Sequence, residues 1–314
     1  MRDTILKQMK ENFYEPVDET YFFWWKFWLG GLFIWKLLSR DFSNIALWPA
    51  SVISGYPVDI YNPNDYVQLT AIPPFFDLVT GHFVHWIVPF PSAYILGLVQ
   101  TSAVIFAISF VCSPTRYSRL IGIIFYLHIT YLWGFVYRLG QDIDAVFLLQ
   151  GTLFIFCFLR FKGNKNYFRE VRFSTLCIFV MYYFFSGFNK LIDLNYHQWF
   201  QFDIIEYNRM MVFAMNQDYY AYLPSLPENL ETLKGLITIF GAAITYAVHL
   251  ACPLLLLSSS TKKILFYWSF YSLFHFLTMY VTILFQMNFF AWLLVIPVYK
   301  LRQRYGLRTA PNEH

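Results

Sequence analysis

Charge is what this sequence lacks. Only 13% of its 314 residues are Asp, Glu, Lys or Arg, where a soluble domain carries about 25%. A chain so poor in charge cannot clothe its whole surface for water, so lipid is the expected solvent for most of it. Cysteine is scarce as well: Cys112, Cys157, Cys177 and Cys252 each sit inside an apolar run. None is spaced as a CxxC or zinc pair, so neither a disulfide framework nor a cysteine zinc site is implied. The four thiols are expected as small apolar packing residues. Internal repeats, low-complexity tracts and a separate soluble domain are missing too, and nothing points to a nucleic-acid partner. The first twenty residues are charged and lack a short apolar region ending in small residues, so no removable signal peptide is expected.

What is present is apolar and aromatic: 58% of the chain is hydrophobic and 22% of the chain is Phe, Trp or Tyr. About 20 consecutive apolar residues cross the hydrocarbon core as a helix. That measure selects eight stretches: 21–39, 92–112, 118–137, 143–160, 172–191, 235–257, 264–284 and a short one at 287–300. The expected fold class is therefore all-α, a polytopic membrane protein of about eight transmembrane helices in one bundle. Residues 1–20 form a cytoplasmic N-terminal segment or interfacial helix, 21–300 the membrane domain and 301–314 a basic cytoplasmic tail.

The distribution of Lys and Arg tests this count, because cytoplasmic loops hold the excess. With the N-terminus inside, sixteen of the 23 Lys and Arg residues fall on cytoplasmic segments, including the run Arg160, Lys162, Lys165, Arg169 and Arg172. Outer segments hold Arg40, Arg138, Arg209 and Lys234, while Lys26, Lys36 and Lys190 fall inside spans. Eight spans with both termini cytoplasmic fit that asymmetry, as in a bacterial inner membrane. Acidic residues collect on the outer side.

Two outer segments, 40–91 and 192–234, are longer than turns need, and such loops are usually functional or partly structured. The first includes Pro73, Pro74 and then Phe75, Phe76, Leu78, Val79, Phe83, Trp86 and Ile87, a spacing that suits an amphipathic helix lying on the membrane. The second is rich in Tyr, Trp and acidic residues.

Titratable groups inside spans are expensive, and each is a functional hypothesis until a cheaper explanation is found. Lys190 closes the fifth span in Tyr182 to Leu191, YYFFSGFNKL. Two readings of it stand: a snorkelling side chain reaching the outer interface, or a desolvated amine available as a base. His128, His249 and His275 lie well inside spans, where hydrogen bonding to a neighbouring helix is the simplest account. Asp142 and Asp144 open the fourth span, where the helix dipole favours acidic residues; the alternative is that one of them lines a cavity near Lys190. His82 and His85 would share a helix face, but with Asp77 as the third group nothing fixes a geometry, and no metal is expected.

The run Tyr183 to Leu191, YFFSGFNKL, resembles the Y-F-x-[AS]-G-x-x-K-L signature of the vitamin K-dependent γ-carboxylases and of the wider horizontally transferred transmembrane (HTTM) family. Residues 274–297, FHFLTMYVTILFQMNFFAWLLVIP, are similar to a later helix of that family with an early histidine and an aromatic-rich stretch. The resemblance covers mainly residues 140–300. It implies that Lys190 is the base that deprotonates a reduced, vitamin K-like hydroquinone. Reaction with oxygen then yields a stronger base, and carbon dioxide traps the carbanion formed on a glutamate side chain. His275 is implied as a second catalytic group, with Asp142, Asp144, Tyr183, Asn189 and His128 in support. The chain reads Gln141, Asp142, Ile143, Asp144 where the carboxylases carry a histidine, and no counterpart of their large extramembrane domain is expected after its last span. In length it is similar to short SdpB-like bacterial members, which implies a small secreted peptide as partner. A carboxylase-like or quinone-dependent enzyme is one reading; a non-catalytic membrane partner that holds or exports a peptide is the other.

Overall fold

The structure is a computed structural model that describes residues 2–14, 17–45, 91–138, 143–158, 167–192, 247–257, 262–273 apart from 264 and 268, 288–296, and 298. Among the described residues all regular structure is helical and no strand occurs. The helices are α1 (Arg2–Phe13), α2 (Glu19–Leu38), α3 (Phe42–Ile45), α4 (Ala93–Cys112), α5 (Thr115–Arg138), α6 (Ile143–Phe158) and α7 (Tyr167–Ile192). They are followed by α8 (Ala247–Leu257), whose last residues Cys252–Leu257 tighten into a 3-10 turn. Helical residues between 262 and 273 come next, then α9 (Asn288–Ala291) running into a 3-10 turn at Trp292–Val295.

Local chemistry sets several ends. Asp18 caps α2 by accepting from the Tyr21 amide at 3.3 Å, and Ser92 caps α4 by accepting from the Ile95 amide at 3.4 Å, the side-chain oxygens satisfying amides that a first turn leaves unpaired. Pro114 stops α4, because the residue before a proline is pushed out of helical geometry. Ser113 accordingly has φ −67° and ψ 142°.

Consecutive long helices reverse direction. The start of α2 meets the α4–α5 junction through Thr115, whose hydroxyl donates to Glu19 at 3.2 Å. The end of α2 meets the start of α4 through Gln100: its amide nitrogen donates to the Leu37 and Arg40 carbonyls, each at 2.6 Å, and its oxygen accepts from the Phe42 amide at 3.1 Å. α5 and α6 are tied at one end by Arg119 donating to the Cys157 carbonyl at 2.9 Å and in the middle by Gln150 donating to Thr130 at 3.0 Å. α7 returns to α2, where the Trp25 indole donates to Thr175 at 2.9 Å. The sequence-derived boundaries of these five long helices agree with the structure to within five residues.

The core between α2, α4, α5, α6 and α7 is aromatic. Trp25, Phe33, Phe110, Phe125 and Phe156 are fully or almost fully buried. Their rings meet at centroid distances of 5.1 Å (Trp25–Phe156), 5.2 Å (Phe33–Phe125) and 5.7 Å (Phe110–Phe156), the range in which aromatic pairs attract. Gly30 lets α2 approach α4 closely; a side chain there would run into Val111.

One described helix, Ala93–Cys112, is long and apolar enough by itself to cross a membrane, with mean hydropathy 2.2. Leu148–Phe158 and Ala247–Leu257 are shorter apolar helices. α2, α5 and α7 have the length, about 30–39 Å at 1.5 Å per residue, but carry internal or terminal charges such as Lys26, Arg119 and Arg172 and are rich in Trp and Tyr. The long outer segments from 46 to 90 and from 193 to 234, with the interfacial helix expected near 73–87, lie outside the described residues.

Candidate functional site

The motif helix α7 passes from the aromatic core to a second, smaller junction. Tyr183 is buried there, 1% exposed, among side chains from three other segments. Its ring centroid lies 4.5 Å from Tyr271, 5.4 Å from Trp292 and 5.7 Å from His249, the last nearly parallel at 27°. Trp292 also meets Tyr271 at 4.6 Å and Phe179, one turn earlier on α7, at 5.2 Å. Polar atoms of these rings are paired: the Trp292 indole donates to the Tyr183 hydroxyl at 3.1 Å, and the Tyr271 hydroxyl donates to the Val248 carbonyl at 2.6 Å. Buried Trp and Tyr need such partners for their polar tips.

The glycine of the motif explains how α8 comes so near. A Cβ built on Gly187 would overlap the Cβ of His249. No other residue type leaves room for that approach without a shift of backbone. Lys190 follows one turn later. At 100° per residue, Tyr183, Gly187 and Lys190 fall along one side of α7, so the motif spacing places its aromatic, its glycine and its lysine on a single register line. The 3-10 turn that carries Trp292 is itself fastened to α2: the Tyr21 hydroxyl donates to the Leu294 carbonyl at 2.8 Å and the Trp24 indole to the Leu293 carbonyl at 2.9 Å.

Of the residues singled out from sequence, Tyr183 is therefore at the junction. Lys190 and Asn189 lie on the last turns of α7 and Asp144 on the first turn of α6. His275 and Asp142 lie outside the described residues, as do Asp77, His82 and His85. His128 is elsewhere: its Nδ1 is 2.8 Å from the Ile124 carbonyl one turn back on α5, and its ring meets Phe106 of α4 at 4.9 Å. The hydrogen bond expected to a neighbouring helix is made instead to the histidine's own helix, and only the ring contact with Phe106 reaches a neighbour. Among the described residues no three His, Cys, Asp or Glu side chains converge as metal ligands. The cysteines are free; Cys157 and Cys252 are buried, Cys177 is half-buried and Cys112 is exposed on α4, so only part of that set packs as core.

Two groups carry more than the sequence suggested. His249, 4% exposed, lies against the motif glycine; a histidine in an apolar run was the available signal, but its pairing with Gly187 is a tertiary fact. Lys26 is also buried, 4% exposed. Its ammonium donates to the Ser113 carbonyl at 2.5 Å and to the Ser118 hydroxyl at 3.2 Å, and lies 5.3 Å from the Phe22 ring centroid. A cation on the last carbonyls of α4 suits the negative end of that helix, so Lys26 is a structural clamp.

Comparison of the whole chain with models of protein families, with curated proteins and with solved structures gave no match.

Proposed function

We propose that this chain is an integral membrane protein of the HTTM type, with about eight spans and both termini cytoplasmic, in which Lys190 acts as a base towards the outer face. The observation that carries the reading is the junction around Tyr183 and Gly187: the motif that resembles the carboxylase signature is the stretch of α7 packed against α8, the 262–273 helical residues and the turn at Trp292. Membrane placement is supported by the outward side of α4, where Tyr94, Leu98, Ile105 and Ile108 are 50–75% exposed. An apolar face of that extent is stable against lipid tails and costly against water.

The junction's chemistry suits a flat, redox-active ring. Tyr183 and Tyr271 meet edge to face with Trp292 tilted against both, and Ser272, next to Tyr271 in sequence, has a buried hydroxyl with no hydrogen-bond partner. That orphaned group fits a quinone oxygen, since a buried polar atom left unpaired is costly. A bound reduced quinone supplies, with oxygen, the strong base needed to remove a carbon-bound proton, and carbon dioxide supplies a carboxyl group. The chain's own part is to exclude water with its aromatic walls, to hold the ring and to accept a hydroxyl proton at Lys190, a task for which a neutral amine in a dry site is suited. His275 is the proposed second group, with Asp142 or Asp144 and Asn189 in support; a small secreted peptide is the proposed substrate or partner.

Extraction of the purified chain into organic solvent, followed by mass spectrometry, tests this reading. A bound quinone is the expected result. A bound unmodified peptide without quinone supports the non-catalytic carrier instead, and a chain carrying neither contradicts both.

A further inference from the structure

The opposite end of α7 from the motif carries a separate surface. α1 packs there on α7 and on the end of α8. Its Ile5, Met9 and Phe13 are partly buried, while Leu6, Lys7, Lys10 and Tyr14 are exposed. At 100° per residue the exposed four fall within roughly a third of the helix circumference, with Asp3 on the same flank at the N-terminal turn. Arg169 from the start of α7 lies across this flank's far end, its guanidinium 5.1 Å from the Phe13 ring centroid and 4.9 Å from that of Tyr14. Phe13 is fixed in turn by Phe173 of α7 at 5.1 Å. The buried Nε of Arg169 has no hydrogen-bond partner, and its neighbour Glu170 is half-buried. Glu11, one turn after Lys7 and also exposed, borders this flank on the Lys7 side.

We infer that this flank of α1, completed by Arg169, is a headgroup site for anionic phospholipid. The composition is that of a helix lying in a membrane interface: Leu6 to enter the acyl boundary, Tyr14 at headgroup level, and Lys7, Lys10 and Arg169 for phosphate. A fully aqueous partner gives no role to Leu6 and Tyr14, 45% and 59% exposed, whereas a neutral lipid gives none to the three cations. The Arg169 clamp also makes the site part of α7 itself, so lipid bound here is held by the helix that carries the motif at its other end. The inference rests on the membrane placement proposed above.

The test uses the full chain in detergent, presented with equal amounts of a short-chain phosphatidylglycerol and the matching phosphatidylcholine, with adducts counted by native mass spectrometry. Phosphatidylglycerol is expected to be retained in preference, and Lys7→Gln with Lys10→Gln to weaken that preference by roughly fivefold for each lysine. Lys262→Gln with Lys263→Gln, two exposed cations outside the site, is expected to leave it unchanged. Equal retention of the two lipids, an equal loss in both double variants, or displacement of the lipid by inorganic phosphate at the same concentration overturns the inference. Carbonate washing of membranes separates the two claims: a chain that stays in the pellet yet shows no lipid preference refutes the headgroup site alone, and a chain that is released refutes the membrane placement as well.

Discussion

At the scale of single residues, Gly187 and Lys26 fix how neighbouring helices meet. Gly187 is where α7 and α8 touch, and Gly187→Ala forces a methyl group into His249. Overpacking of this kind costs about 1–3 kcal/mol, so the melting temperature in detergent is expected to fall, and His249→Gly, which removes the opposing Cβ, to restore part of it where His249→Ala does not. Lys26→Met leaves the Ser113 carbonyl without its charged donor. A hydrogen bond to a charged group is worth about 1.5–3 kcal/mol, and a loss of that size with partial recovery in Lys26→Gln is expected in the same assay. Lys190 draws attention in the sequence because an amine inside an apolar run stands out, and the structure places it on the last turns of α7. The burial of Lys26 was not legible: the sequence places it in a span but does not show that Ser113 and Ser118, about 90 residues away, receive it.

At the scale of elements, the long helices were legible from apolar runs and stop signals. α4 begins after Ser92 and ends before Pro114 within a residue of its expected bounds. α7 starts five residues earlier than expected, at Tyr167, because Arg169 and Arg172 do not end a helix that has aromatic partners for its first turn: Tyr167 and Phe168 both pack on Phe22. Side-chain ties between helices were not legible, since no periodicity reveals which glutamine caps which neighbour. Gln100 fastens three backbone groups at the α2–α3 turn. Gln100→Leu is expected to expose that turn, with amide exchange at residues 39–44 rising by at least about tenfold, as the loss of about 1.4 kcal/mol of local protection requires, while exchange in the middle of α5 stays unchanged.

At the scale of the whole molecule, the inside-to-outside order we propose rests on charge asymmetry in the sequence, and the described helices α2, α4, α5, α6 and α7 run in alternating directions. Glu19, Ser113, Thr115 and Arg119 gather at one end, and Leu37, Arg40, Phe42 and Gln100 at the other. Labelling of single cysteines placed at Lys10 and Asn44 on a background lacking the four native cysteines is expected to show opposite accessibility from the two sides of intact cells. The assembly of the candidate site was the least legible part. Tyr183 comes from a motif, but His249, Tyr271 and Trp292 join it from segments 66 to 109 positions away in sequence from the motif's tyrosine, and only the fold unites them.

The central claim is that Lys190 takes a proton in a quinone-dependent step. Its most direct test is the rate of oxygen-dependent consumption of a reduced quinone by membranes holding the wild-type chain or Lys190→Ala at matched abundance and matched melting temperature. A positioned general base contributes about a hundredfold or more, so the variant is expected to fall by at least that factor. Equal consumption by the two proteins contradicts the claim.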